Sequence, residues 1–216
     1  MHYVSSRGDT GPVSAAEAIL KGIAPDGGLF VPSHLPRVDY IPLMDRGYPE
    51  RAGAILSLFL GQLGAEQIRA WTRSTYSPSR FDCPPVAPLI RLDRGLYILE
   101  LWHGPTGAFK DLALQLLPYL LTGSMKQDRN QAPIIAILVA TSGDTGKAAL
   151  EGFCNVPGTR IVVFYPEQGV SEVQKRQMVT QQGENVEVLA VRGNFDDTQT
   201  GVKAIFADQA IAKKLA

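Results

Sequence analysis

The 216-residue sequence has few metal-ligating or disulfide-forming residues: two cysteines, Cys83 and Cys154, and three histidines, His2, His34 and His103, all far apart. None of these spacings suits a zinc site or a disulfide framework, so the sequence predicts reduced structural thiols and no metal. A charge excess of either sign is also missing, with 21 basic and 21 acidic residues. This excludes the positive field that holds nucleic acid or an anionic membrane, and points to a small-molecule partner. Long apolar runs are absent too, since the longest, Ile134 to Ala140, is far too short to cross a bilayer. Met1 to Arg7 lacks the order of a signal peptide, so the expected location is the cytoplasm. Internal repeats and low-complexity tracts are not found.

What remains is an ordinary folding composition, 45% apolar and 19% charged, long enough for one large domain or two small ones. Ser14-Ala15-Ala16-Glu17 reads as a capping box that starts a helix ending at Gly22. Pro25 to Gly28 reads as a tight turn before a strand, Leu29 to Val31, which Pro32 stops. A helix is expected from Ala52 to Trp71, with Ile55, Leu58, Phe59 and Leu63 on one apolar face. Between Tyr76 and Pro88, four prolines mark a boundary. It divides the chain into residues 1–78 and residues 86–216.

Beyond the boundary strand and helix alternate. Strands are expected at Leu96–Leu101, Ile134–Ala140, Ile161–Tyr165 and Val186–Val191. Helices are expected at Gly107–Leu121, Thr145–Phe153, Glu172–Gln182 and Asp197–Leu215. The second and third strands are continuous apolar runs, which implies burial on both faces of a parallel sheet. The fold class is therefore α/β, a layered parallel sheet with helices on both faces. The last helix has no glycine cap and no closing strand after it, so a sheet incomplete at the C-terminus is expected.

Ligands of open α/β sheets gather beyond the carboxyl ends of the strands, where helix N-termini present unpaired N–H groups. Two loops fall at such places: His103 to Asp111, and Thr141 to Gly146. Lys110 lies in the first turn of a helix, where a cation opposes the macrodipole at roughly 0.3 to 1 kcal/mol. Read functionally, a lysine there beside Phe109 and Leu112 has its ammonium form disfavoured and its free amine available to an aldehyde. Read structurally, it is a surface lysine paired with Asp111 or another carboxylate. Ser142 to Gly146 can cradle an anion, or it can be an ordinary turn with Ser142 or Asp144 as N-cap.

Sharper motifs fail on particular residues. A phosphate-binding Walker loop needs glycine where Thr141 stands and a hydroxyl where Ala148 stands. A nucleophile elbow at Ser142 needs glycines where Ala140 and Asp144 stand. A dinucleotide fingerprint needs three glycines, and only Gly143 and Gly146 are present. Asp196-Asp197 reads as helix capping rather than a paired-carboxylate site. His103 reads as a polar residue beside a cofactor pocket rather than a proton shuttle.

Four stretches carry a resemblance that spans nearly the whole chain. His103-Gly104-Pro105-Thr106-Gly107-Ala108-Phe109-Lys110-Asp111 resembles the pyridoxal phosphate lysine motif of the threonine synthase family. Ala140 to Gly146 resembles its second hallmark loop, and Ala24 to Pro32 and Gly193 to Asp197 resemble an N-terminal and a later segment. The resemblance implies the fold type II architecture of tryptophan synthase β-like enzymes. It implies an N-terminal segment over residues 1–78 and, over residues 86–216, the first part of a catalytic domain. It also implies conversion of O-phospho-L-homoserine and water to L-threonine and phosphate, the last step of threonine biosynthesis.

In that reading Lys110 holds pyridoxal 5'-phosphate covalently and then moves protons, Phe109 and Asp144 neighbour the cofactor, and Ser142, Gly143 and Thr145 bind substrate. Related lyases place asparagine where this chain has Asp144. An aspartate beside the cofactor's phenolic oxygen should therefore be protonated, turned away or bridged. The family's phosphate cup and pyridine-nitrogen partner fall beyond Ala216, so residues 1–216 alone are expected to bind cofactor weakly and to lack synthase activity. A threonine or serine dehydratase, and a catalytically silent binding protein of the same kind, are the alternatives.

Overall fold

The structure is a computed structural model that describes residues 1–126 and 134–208. The chain divides into two compact units, residues 1–103 with 119–130, and residues 104–118 with 131–216.

In the first unit β1 (Tyr3–Ser5) pairs antiparallel with β2 (Phe30–Pro32), and helix α1 (Ala15–Lys21) follows β1. Ser14 caps α1 by accepting the Glu17 N–H at 3.1 Å, and Gly22 ends it. Only half of the expected capping box forms, because the Glu17 carboxylate takes Lys21 at 2.7 Å instead. The single helix expected over 52–71 is two, α2 (Tyr48–Leu60) and α3 (Ala65–Thr75), separated by a short 3₁₀ turn. Gly64 makes the break: its φ of +89° is outside helical space and open to glycine at little cost.

The buried stripe matches the expected one in part, since Leu63 is buried and Phe59 packs against the same core. Ile55 and Leu58 are 40% and 39% exposed, whereas Leu60, Leu63 and Ile68 are buried with Ala15 and Ala16. Helix α2 approaches α3 through Gly53, where a Cβ would lie 3.0 Å from Thr72 Oγ1. The strand expected at 96–101 is β4 (Leu96–Leu99). It pairs antiparallel with β3 (Leu89–Asp93), a strand the sequence pattern does not announce. This hairpin is exposed along its length and forms a two-stranded sheet of its own, so β4 is not the opening strand of the layered region.

The second unit holds the layered sheet. Strands β5 (Ile135–Ala140), β6 (Thr159–Pro166) and β7 (Val186–Val191) are parallel in the order β5-β6-β7. Helices α6 (Asp144–Phe153), α7 (Glu172–Val179) and α8 (Phe195–Ala207) follow them in turn. Right-handed crossovers between successive neighbours put α6 and α7 on one face. Helix α8 packs on β5 and β6 from the other. Burial is less complete than continuous apolar runs suggest: β5 is half-buried throughout, and β6 alternates, with Ile161, Val163 and Tyr165 buried. The expected end of the last helix, beyond residue 208, lies outside the described residues.

The helix expected over 107–121 is also two, α4 (Asp111–Leu114) and α5 (Leu117–Met125). Pro118 has no N–H to offer the Leu114 carbonyl, so the helical ladder is interrupted there. Helix α6 comes up against that same carbonyl through Gly152, where any Cβ would overlap it. Asn194 and Asp197 form a full capping box at the start of α8, with hydrogen bonds of 2.9 and 3.0 Å. Capping is thus the role of Asp197, with Asn194 as its partner.

Candidate functional site

Strand β5 delivers its carboxyl end to Thr141, whose N–H donates to the Phe164 carbonyl at 3.0 Å and so extends the sheet register by one residue. The chain then turns at Gly143, with φ +155°, into α6. Thr141 is 2% exposed, and its hydroxyl accepts the N–H groups of Gly143 at 3.0 Å and Gly146 at 2.9 Å. Neither Ser142 nor Asp144 caps the helix. Gly143 is the N-cap residue and the Thr141 side chain serves the first turn from two places earlier.

The consequence is an open helix start. Ser142, Asp144 and Thr145 are exposed around it, and the N–H groups of Asp144 and Thr145 have no acceptor within the helix. Asp144 Oδ1 accepts a hydrogen bond from Gln174 Nε2 of α7 at 2.8 Å. Gly143 passes under that same glutamine, where a Cβ would collide with its amide. Nothing in the local pattern points to Gln174, which is thirty residues from Asp144 in sequence. Such a start, with N–H groups and the positive end of the macrodipole together, suits an anion or a carboxylate.

Lys110 is the N-cap residue of α4 and is half-buried. Its Nζ lies 4.3 Å from the centroid of the Phe109 ring, which is 58% exposed. No carboxylate of the described residues pairs with it. Asp111, the partner expected of a surface lysine, is fully buried and turned to Thr106. Burial pushes the Asp111 carboxyl above the usual carboxylate range, and the hydrogen bonds from Thr106 pull against that shift.

The structure thus brings Lys110 and Phe109 together, and groups Ser142, Gly143, Asp144 and Thr145 around one helix start. Among the described residues no hydrogen bond or ion pair joins the two groups, although α4 and α6 pack against each other. An amine without an ion pair and a helix start with open donors fit an aldehyde coenzyme and an anionic substrate. A cavity of about 560 Å³ lies at the opposite end of the sheet, lined by Asn155, Gly158 and Asn185. Asn185 and Asn155 are committed there to backbone hydrogen bonds of 2.7 to 3.2 Å.

His103 belongs to the first unit. Its Nδ1 faces Asp82 Oδ1 at 2.7 Å and its Nε2 faces Glu100 Oε2 at 2.8 Å. Hydrogen bonding to Glu100 and then Asp82 raises its pKa above the ordinary 6.5. It is a clamp between two acids, which its sequence neighbours do not reveal.

Among known proteins, residues 2–76 match the family described as Threonine synthase N terminus. A threonine synthase of Pseudomonas aeruginosa is 41% identical over 217 aligned residues, covering 99% of this chain and 45% of that protein. One from Schizosaccharomyces pombe is 38% identical, covering 98% of this chain and 43% of the relative. The crystal structure of a pyridoxal phosphate-bound threonine synthase from Brucella melitensis superposes with a TM-score of 0.91 at 39% identity. It covers 100% of this chain and 46% of that one. The chain spans about half the length of the curated relatives it matches.

Proposed function

Given a chain that corresponds to the N-terminal portion of threonine synthases, we propose that it carries the coenzyme lysine of a pyridoxal phosphate-dependent lyase. The reaction is conversion of O-phospho-L-homoserine and water to L-threonine and phosphate, within threonine biosynthesis. The observation that carries this reading is the Lys110 amine, set at the start of α4 with no ion pair among the described residues although an aspartate follows it.

Pyridoxal 5'-phosphate, when bound, supplies the electron sink. Lys110 holds it, then takes and returns protons at the α, β and γ carbons of the substrate. The exposed start of α6, through Ser142, Gly143 and Thr145, binds the substrate carboxylate. Phe109 and Asp144 flank the coenzyme. Residues 1–78 form the N-terminal segment, a division supported by the family match ending at residue 76, and residues 86–216 belong to the catalytic domain. No helix among the described residues is long and apolar enough to cross a membrane. We place the protein in the cytoplasm, with a small-molecule substrate and no nucleic-acid partner.

The test is a chimera of residues 1–216 with the complementary half of the Pseudomonas aeruginosa relative. Formation of threonine and phosphate from O-phospho-L-homoserine, lost on Lys110→Ala, is the expected result. A folded chimera that instead deaminates threonine or serine turns the assignment to a dehydratase. Pro25 to Pro32, within the family match, favours the synthase.

A further inference from the structure

Asp111 follows Lys110 directly in the chain, and a carboxylate so near is the obvious partner for an amine. An acid within about 4 to 6 Å favours the ammonium form, which cannot attack an aldehyde. The structure sends this carboxylate elsewhere. The Thr106 N–H donates to Asp111 Oδ2 at 2.8 Å, and the Thr106 hydroxyl meets both carboxylate oxygens at 2.9 Å. The same hydroxyl accepts the Ala108 N–H at 3.4 Å, so one threonine closes the loop ahead of the lysine.

Gly104 leaves the space for this arrangement, since a Cβ there would sit 2.5 Å from Asp111 Oδ2. From α6, the charged group facing Asp111 is Glu151, which is itself held by Lys147 Nζ at 3.1 Å. The cation on that side, Lys147, is taken by Glu151, and no ion pair among the described residues joins it to Asp111. Thr106, with Gln115 beside it, is therefore what occupies the carboxylate, and only Thr106 takes both of its oxygens.

We propose that Thr106 is a positioning residue for Lys110, capturing the neighbouring carboxylate and so leaving the amine unpaired for an aldehyde coenzyme. The proposal rests on the reading of Lys110 as the coenzyme lysine. The full 216-residue chain is incubated with pyridoxal 5'-phosphate across a pH series and reduced with borohydride. Label at Lys110 is then quantified by peptide mass spectrometry. Thr106→Val should move the pH midpoint of labelling up by about one unit or more, because the freed carboxylate then pairs with the amine.

Thr106→Ser should keep the wild-type midpoint. Thr106→Val combined with Asp111→Asn should restore it, because the released group is no longer charged. A midpoint unmoved by Thr106→Val, or a shift that persists in the double variant, overturns the proposal. Should Thr106→Val fail to fold, Asp111→Asn alone decides. A midpoint within about 0.3 of a unit of wild type supports the capture, and a fall of a unit or more shows that the carboxylate already pairs with the lysine and overturns it. Wild-type protein unlabelled at Lys110 defeats the reading of the site itself, whereas labelled protein with an unshifted midpoint defeats only the role of Thr106.

Discussion

The hydroxyl of Thr141 accepts the backbone N–H of Gly146, five residues on, at 2.9 Å, and that of Gly143 at 3.0 Å. Both bonds are buried, so losing the acceptor strands two donors away from water. Thr141→Val keeps the shape and removes the acceptor, and should destabilise the protein by about 2 to 3 kcal/mol in urea unfolding. Thr141→Ser should recover most of that loss. Equal stability of the valine variant would mean that the hydroxyl does not hold the turn.

Gly152 makes a second demand on the same helix. A methyl group there has backbone, the Leu114 carbonyl, in its way, so α4 or α6 must move. Gly152→Ala is expected to cost about 2 to 3 kcal/mol of unfolding free energy, read by denaturant titration. Gly201→Ala, in α8 with nothing within 4 Å, is the control. It should stabilise by about 0.5 to 1 kcal/mol through helix propensity.

His103 predicts a pH dependence. Carboxylates face both ring nitrogens, and neutral imidazole has only one N–H to give, so the doubly protonated ring satisfies both contacts. Its folded pKa is raised above 6.5, so the stabilisation is complete below that value and disappears as pH climbs through the folded pKa. The melting temperature should fall as pH rises above about 6.5, and His103→Gln should flatten that segment of the profile. An unchanged slope in the variant would remove the clamp from the account.

Asp144 keeps its hydrogen bond from Gln174 if it becomes asparagine, because the amide oxygen still accepts. Asp144→Asn therefore removes a carboxylate at the position proposed to flank the coenzyme while preserving the local contact. The absorbance of bound pyridoxal phosphate should change its pH dependence. Identical titrations in the two proteins would place Asp144 away from the coenzyme.

Much of the layered unit can be read from the sequence because its signals are local. Strand β7 occupies its expected bounds, and β5 and β6 agree within two residues, since β-branched runs between turn signals specify a strand by themselves. Helix α6 agrees within one residue, but two other expected helices are not single. Apolar residues from 55 to 63 keep helical spacing across what is really a glycine break, and the 107–121 stretch hides an interruption set by Pro118. The β3-β4 hairpin is non-local in its pairing, and Pro88 just ahead of it argues for irregular chain.

The site divides in the same way. Lys110 and the turn at 142–145 stand out because glycines and hydroxyls precede helices there. Thr141 escapes notice because it caps from outside the usual position, and Gln174 because only the packing of α7 brings it near Asp144. Thr106 is hidden by its neighbours: the pairing that matters, with Asp111, links two residues that read as loop filler and helix start.

Lys110 is the amine proposed to bond to the coenzyme. Protein saturated with pyridoxal 5'-phosphate, reduced with borohydride and digested should yield one dominant labelled peptide, containing Lys110, which vanishes in Lys110→Ala. Label spread over several lysines to the same extent in both proteins would contradict the account.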